Sequence, residues 1–138
     1  MPRLSPKSLA NLESCHPHLR VLFKQVAEVA DISILCGERT KEKQNKLFEM
    51  GRSQLKFPHS YHNHQPSWAV DVAPWIPGHG IPWTEASKFR DLYSIVEKID
   101  TSLNIKKSLT WGGHWSNFRD YAHYELSPYT LKRYGLSK

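Results

Sequence analysis

Cysteine is scarce in this chain, and its two residues stand far apart. Cys15 and Cys36 are the only cysteines among 138 residues. Neither belongs to a Cys-x-x-Cys pair, so the sequence excludes a zinc knuckle, which is built from such pairs. A free cysteine behaves as a small hydrophobic residue and is most often buried. We therefore expect two reduced, buried thiols.

Long apolar runs are also missing. No stretch approaches the roughly 18 consecutive apolar residues of a membrane-spanning helix. The first residues, Met1 to Lys7, have no apolar run behind them, so no secretory signal peptide is visible. The chain contains no internal repeat and no low-complexity segment. With 39% hydrophobic residues, these absences predict one folded domain over residues 1–138.

Positive charge is in excess, but it is not concentrated. The formal net charge of +6 suits an anionic partner such as nucleic acid, a membrane surface or a bacterial cell wall. The densest basic clusters are the pairs Lys106-Lys107 and Lys132-Arg133. There is no basic helix and no alternation of aromatic and basic residues, which argues against nucleic-acid binding. Ordinary solubilising charge remains the alternative explanation for the excess.

Hydrophobic periodicity predicts five helices and four short strands. The helices are expected at 8–13, 17–30, 40–51 and 84–103 and in a short segment from Pro128, with Ser8, Thr40 and Thr84 as N-caps. The strands are expected at 31–36, 68–72, 109–111 and 121–126. Helices and strands do not alternate in a βαβ rhythm. We therefore predict an α+β fold with a small, mostly antiparallel sheet flanked by helices.

Histidine and aspartate surround two of these strands. Asp71 lies on the strand at 68–72, and the long loop before it contains His62 and His64, either of which can reach that strand. His123 lies on the strand at 121–126, and Asp120 stands at its entrance. Two imidazoles and one carboxylate form an open zinc site whose fourth position is left for water. With eight histidines in the chain, chance grouping of loop or core histidines is the competing interpretation.

The spare carboxylate and a nearby cation would complete a hydrolytic site. Zinc lowers the pKa of its water toward about 7, and a carboxylate outside the metal can take the proton and deliver it to a leaving amine. We assign that role to Asp120. Arg39, between a predicted strand and helix, is the candidate for binding a substrate carboxylate or a developing oxyanion.

Several motifs in order resemble a known family. They are Gly37-Glu38-Arg39-Thr40, Gln44, Gly51-Arg52-Ser53, Ser60-x-His62, Ser67-x-Ala69-Val70-Asp71, Trp111-Gly112-Gly113 and Phe118-x-Asp120-x-x-His123-x-Glu125. Together they resemble the zinc peptidases related to D-alanyl-D-alanine carboxypeptidases. Within these they are most similar to the phage endolysins that are L-alanyl-D-glutamate peptidases.

The resemblance implies a fold, an activity and a set of residues. The fold would be the zinc D-Ala-D-Ala peptidase-like α+β fold, with one Zn²⁺ bound by His62, Asp71 and His123. By motif match, Asp120 is the catalytic acid/base and Arg39 binds substrate or the tetrahedral intermediate. Weaker matches assign substrate binding to Ser60, Gln44 and Trp111, and support of the metal ligands to Glu125. The activity would be hydrolysis of the L-Ala–D-Glu bond in the peptide stems of peptidoglycan.

The biological setting follows from the same resemblance. A monomer without a signal peptide or a separate wall-binding domain would wait in the host cytoplasm and then lyse the cell. Two alternatives stay open: a D-Ala-D-Ala carboxypeptidase of the same fold, and a basic wall-binding module with a non-catalytic metal. The choice of His62 also rests on the motif, because the spacing of commoner relatives, seven residues from His to Asp, would select His64.

Overall fold

The computed structural model describes residues 4–136, in which a four-stranded sheet is flanked by five α-helices. The helices are α1 (Pro6–Glu13), α2 (Pro17–Val29), α3 (Lys41–Glu49), α4 (Ala86–Leu103) and α5 (Pro128–Arg133). The strands are β1 (Ile32–Cys36), β2 (Ala69–Pro74), β3 (Leu109–Trp111) and β4 (His123–Leu126). None of the helices in this part of the chain has the length and apolar character needed to cross a bilayer.

The sheet has the order β1-β2-β4-β3, and every neighbouring pair is antiparallel. The predicted α+β class with an antiparallel sheet is therefore confirmed. Helices α2 and α4 pack against each other, and α4 also packs on β2. Side chains alternate across a strand, so Val70 and Val72 of β2 join Tyr124 of β4 in the core that these helices cover. The residues between them, Asp71 and His123, face the other way.

Four predicted details differ from the structure at the ends of elements. Helix α1 begins at Pro6 and is capped by Ser5, because proline suits the first helical position. Ser8, the predicted cap, is buried and accepts a hydrogen bond from the Ile34 amide instead. Helix α4 begins at Ala86 without a side-chain cap, so the predicted cap at Thr84 is wrong. Strand β4 begins at His123.

The other two strands near the site also depart from simple alternation. Strand β2 extends to Pro74 and is buried at both Ala69 and Val70, because it lies in the middle of the sheet with both faces covered there. Strand β1 contains a bulge between Ile34 and Cys36. An extra residue in one strand reverses the face on which the following side chain lies. Cys36 is therefore brought opposite Asp71.

Residues 52–66 belong to a long loop, as predicted, which contains a short 3-10 helix at Tyr61–Asn63. Ser60 caps this turn: its hydroxyl accepts from the His62 amide, and the Asn63 side chain accepts from the Ser60 amide. The Arg39 amide donates to the His62 carbonyl at 2.7 Å. These bonds fix the backbone of His62 against the end of β1 although the loop around it is irregular.

Candidate metal centre and cleft

Three neighbouring strands bring the central side chains together. Asp71 on β2 is paired with His123 on β4 and with Cys36 on β1. Residues paired across antiparallel strands place their side chains on the same face. His62 reaches this face from the 3-10 turn. The sheet thus supplies one carboxylate, one imidazole and one thiol to a common point, and the loop supplies a second imidazole.

The two imidazoles converge on one carboxylate oxygen. His62 Nε2 and His123 Nδ1 each lie 3.3 Å from Asp71 Oδ1. All three side chains are largely removed from solvent, with side-chain exposures of 2%, 9% and 17% for His62, His123 and Asp71. The fold thus places both His62 and His123 beside the Asp71 carboxylate.

The far nitrogen of each ring has a hydrogen-bond acceptor that fixes the tautomer. His62 Nδ1 donates to the Gly37 carbonyl oxygen at 2.7 Å, and His123 Nε2 donates to Glu125 Oε1 at 2.8 Å. Because a carbonyl or a carboxylate only accepts, the neutral rings hold their protons on these outer nitrogens. The lone pairs of His62 Nε2 and His123 Nδ1 then point inward. Outer partners of this kind are typical of metal-binding histidines.

The inner atoms have no hydrogen-bond partners of their own. His62 Nε2 and Asp71 Oδ1 are both buried and unpartnered. A buried polar atom without a partner is costly, of the order of 1–3 kcal/mol, and a bound cation would remove that cost at both atoms together. The donor set of two imidazole nitrogens and one carboxylate oxygen is suited to zinc. The residues present therefore fit a metal ion, and they form a possible metal-binding group.

Charge is strongly coupled within the metal-free cluster. Burial disfavours the protonated form of His62, but the Asp71 carboxylate outweighs burial and raises the pKa of His62 to about 10. Burial is likewise overcome at Asp71, where His62 and His123 hold the pKa of the carboxyl well below its usual value. Without a metal, a proton on His62 therefore balances the carboxylate. A divalent cation would take over this role.

Asp120 lies beside this cluster and is held there by a glycine contact. Its carboxylate oxygen lies within 4.8 Å of the ligand atoms of Asp71 and His123. Burial and then the negative charge of Asp71 raise the pKa of Asp120. A Cβ atom at Gly112 would overlap the Asp120 carbonyl oxygen and press on the His123 Cβ. Glycine at 112 is thus what allows the 3-10 turn Gly112–His114 to pack against the segment that carries Asp120.

Arg39 contacts the cluster from the other side. Its Nη2 lies 3.5 Å from Asp71 Oδ2, and its Nη1 donates to Gln44 Oε1 at 2.9 Å. The Nε of Arg39 is buried without a hydrogen-bond partner. Gln44 is fully buried and also donates to Ser53 Oγ and to the Leu55 carbonyl. Gln44 therefore orients Arg39 and anchors the loop. Leu47 and Phe48 of α3 are only partly buried.

A cleft with a volume of about 320 Å³ opens over these groups. Ser60, predicted to bind substrate, lines it together with the cluster residues, and so does Glu125, predicted to support the metal ligands. Trp111 does not: it is 4% exposed and stacks on Tyr93 in the core, so the expectation that it binds substrate is not supported. The cleft wall is formed instead by Trp115 and by residues that the sequence analysis did not assign. These are Arg52, Ser53, Gln54, Leu55, His59, Tyr61 and Phe118.

His64 is separated from the cluster. Its ring stacks on Trp68 with 3.3 Å between ring centroids and an interplanar angle of 4°. Cys36, in contrast, was expected only as a buried thiol and is found with its Sγ within 4.8 Å of the ligand atoms of His62 and Asp71. The bulge that places it there has no signature in the sequence. Both cysteines are free and buried, as predicted.

Fold and site together describe an α+β protein in which side chains that could hold a metal ion lie at the floor of a cleft. The chain belongs to the phage L-alanyl-D-glutamate peptidase family, whose model matches residues 1–130. The family expected from the motifs is thereby confirmed.

Two relatives illustrate the similarity. The peptidoglycan L-alanyl-D-glutamate endopeptidase CwlK of Bacillus subtilis (strain 168) is 30% identical in an alignment over 112 residues, with coverage of 71% of this chain and 62% of CwlK. The chain thus spans about three fifths of the length of that relative. The crystal structure of the Serratia marcescens L-Ala D-Glu endopeptidase ChiX superposes with a TM-score of 0.77 at 24% identity, covering 96% of this chain and 93% of ChiX. This second match supports the fold.

Proposed function

We propose that this chain is a zinc endopeptidase that hydrolyses the L-Ala–D-Glu bond in the peptide stems of bacterial peptidoglycan. One observation carries the proposal: His62 Nε2 and His123 Nδ1 converge on Asp71 Oδ1 at the floor of a cleft, with the Asp120 carboxylate beside them. A structural zinc site is normally closed by four protein ligands, whereas this set is open toward the cleft. A spare carboxylate next to an open metal site is the arrangement that hydrolysis requires.

The substrate class is supported by the family and by the cleft. The family model and the names of both relatives refer to L-alanyl-D-glutamate cleavage. Two arginines, Arg39 and Arg52, line the cleft, and the stem peptide supplies carboxylates at D-glutamate. Arginine binds carboxylates with charge-assisted hydrogen bonds, often two at a time. Arg39 Nε, which has no partner, is available for such a bond.

His62, Asp71 and His123 would hold the zinc ion. When bound, the ion supplies Lewis-acid polarisation of the scissile carbonyl and lowers the pKa of the attacking water. Asp120 removes a proton from the attacking water as the water adds to the L-alanine carbonyl carbon. Asp120 then gives the proton to the D-glutamate nitrogen as the C–N bond breaks. The products are an L-alanine carboxylate and a free D-glutamate amine.

Glu125 and Gln44 position the reacting groups through hydrogen bonds to His123 and Arg39. The hydrogen bond from His123 Nε2 to Glu125 keeps the Nδ1 lone pair directed at the metal position. Gln44 holds Arg39 against Asp71. Because the wall of the infected cell is the substrate that the family implies, we propose that the chain acts at host lysis.

Mass spectrometry of the fragments released from purified peptidoglycan tests the proposal. Zinc-loaded protein is expected to release stem peptides with a new N-terminal D-glutamate, and a chelator should abolish the release. Asp120→Asn is the matched control, because it keeps the size of the side chain while losing the base. We expect it to bind zinc but to be slower by roughly 10²-fold or more.

Three results would contradict the proposal in different ways. Release of free D-alanine without D-glutamate ends would identify a carboxypeptidase of the same fold. Release that survives complete metal removal would exclude the zinc mechanism. Binding of the protein to the wall without any released fragment would favour a wall-binding module.

A further inference from the structure

We propose that Cys36 gives this site a second coordination mode, in which Cys36, His62 and Asp71 bind one thiophilic metal ion. Cys36 Sγ lies within 4.8 Å of the ligand atoms of His62 and Asp71. This group and the group of Asp71, Asp120 and His123 share only Asp71. The group with Cys36 shares His62 and Asp71 with the proposed zinc ligands, so the second coordination mode overlaps the zinc site and differs from it by Cys36.

The backbone determines that the thiol belongs to the site. The bulge after Ile34 places Cys36 opposite Asp71, whereas regular alternation would have directed it with Ile34 into the core. The Gly37 carbonyl oxygen that accepts from the His62 ring also accepts a long hydrogen bond of 3.6 Å from the Cys36 thiol. The thiol is only 7% exposed, so solvent competes little for it.

A second observation points independently to a ligand at this position. His62 is 2% exposed, and its Nε2 is buried without a hydrogen-bond partner. This nitrogen lies 3.3 Å from Asp71 Oδ1, and the ligand atoms of Cys36, His62 and Asp71 all lie within 4.8 Å of one another. A buried lone pair, a carboxylate oxygen and a sulfur atom at this spacing form a ligand set that needs small adjustments to bind a cation.

The chemistry of the three atoms selects the ion. A thiolate is a soft ligand and favours soft ions over hard ones, so Cd²⁺ is a suitable probe. Binding releases the thiol proton to solvent, since the thiolate is the metal ligand. If His123 joins as a fourth ligand, the site is closed in the manner of a structural zinc site and leaves no position for water. The ion would then occupy the centre without supporting hydrolysis.

Cadmium titration of the metal-free full-length protein tests this mode. We expect one equivalent of Cd²⁺ to produce a sulfur-to-cadmium charge-transfer band in the ultraviolet. Cys36→Ala should abolish the band and weaken Cd²⁺ binding by roughly tenfold or more, because the soft ligand is lost. Cys15→Ala is the matched control: Cys15 is buried with its thiol directed at the Ala69 carbonyl, and its variant should retain the band.

A measurement on the unmodified protein keeps the test independent of the variants. X-ray absorption at the cadmium edge is expected to show one sulfur atom in the first coordination shell. A shell of nitrogen and oxygen alone would overturn the inference even if Cys36→Ala failed to fold. A band that persists in Cys36→Ala would overturn it as well.

The effect on catalysis rests on the proposed function and has its own readout. Cadmium should displace zinc and inhibit fragment release. In Cys36→Ala, the Cd²⁺ concentration that halves the variant's own zinc-dependent rate should be roughly tenfold higher than in the unmodified protein. If the zinc-loaded protein releases no fragments, the proposed function fails, while the sulfur band still decides the coordination mode. If fragments are released but no sulfur band is seen, only the coordination mode fails.

Discussion

His62 and His64 are two positions apart, yet the fold gives them opposite surroundings. The capped turn at Tyr61–Asn63 directs His62 inward, where its Nε2 lies 3.3 Å from Asp71. The chain leaves the turn at His64, whose ring lies flat on Trp68. Stacking on the indole ring accounts for the position of the His64 side chain. The geometry thus favours His62 as the ligand and gives His64 a structural role.

A pair of alanine variants tests this assignment. Purified His62→Ala is expected to lose bound zinc, with a zinc affinity lower by more than about 100-fold. Removing a metal ligand costs more affinity than removing a residue that hydrogen-bonds to a ligand. His64→Ala should retain one zinc ion per chain and a similar affinity. Metal content by mass spectrometry measures both. Zinc loss in His64→Ala with retention in His62→Ala would mean that the loop is aligned wrongly.

The individual site residues differ in how far the sequence reveals them. Asp71, Asp120 and His123 could be predicted because strand alternation and a local spacing bring them to one face. Cys36 could not, because a bulge without a sequence signature redirects it. Gln44 was predicted on its motif, but burial of its amide against Arg39 and the loop shows that it acts through hydrogen bonds to the protein. Trp111 is predicted to bind substrate but lies in the core, because an aromatic residue next to two glycines is compatible with either position.

At the scale of elements, the junction between α4 and β3 is organised by one buried carboxylate. Asp100 is 5% exposed near the end of α4. It accepts hydrogen bonds from the Asn104 side chain at 2.7 Å, from the Ser108 amide at 2.9 Å and from the Ser108 hydroxyl at 2.6 Å. These bonds turn the chain from α4 into β3, and β3 leads directly to Gly112 beside Asp120. The junction therefore supports the site from a distance.

Asp100→Ala is expected to lower the free energy of unfolding by about 3 kcal/mol, because the Ser108 amide and hydroxyl lose their acceptor inside the protein. For a chain of this length that corresponds to a fall in Tm of roughly 10 °C. Asp91→Ala on the exposed face of the same helix is the control and should stay within about 0.5 kcal/mol. Thermal unfolding followed by circular dichroism measures both variants. Equal Tm values for the two would show that the junction does not depend on Asp100.

Element boundaries show why local patterns predict elements better than their ends. The interiors of α2, β1 and α4 follow from apolar spacing and lie where it predicts. The ends depend on tertiary contacts. Ser8 was a plausible cap, but its hydroxyl is used by the Ile34 amide of β1. Tyr121 and Ala122 were expected in β4, but the Asp120 carboxylate accepts from the Ala122 amide and forms a turn before the strand begins.

At the scale of the whole molecule, the sheet separates two environments. One face packs Val70, Val72, Tyr124 and Leu126 under α2 and α4, and the other carries Asp71, His123 and Glu125 toward the cleft. Packing of the apolar face holds β2 and β4 in place, and the opposite face of these strands holds the charged cluster. The proposed metal would therefore contribute to the stability of the fold, since a cation that binds only the folded chain stabilises it.

Zinc is therefore expected to stabilise the chain more as the pH rises. In the metal-free protein burial opposes protonation of His62, but Asp71 raises its pKa to about 10, above its ordinary value of 6.5. The stabilisation from this pairing is complete below pH 6.5 and is lost as the pH rises through the folded pKa. The opposite holds for Asp71, whose pKa is lowered, so its contribution is lost only in acid.

Because zinc and protons compete for the same imidazole nitrogens, zinc affinity increases over the pH range in which the proton-based pairing weakens. At a free zinc concentration of 100 times Kd the gain is about 2.7 kcal/mol, or roughly 8 °C in Tm for a chain of this length. Scanning calorimetry of zinc-loaded and chelator-treated protein should show a Tm difference that widens from about pH 6 to about pH 8.5. His62→Ala should show almost no difference at either pH. A difference that narrows with rising pH would place the zinc site away from these histidines.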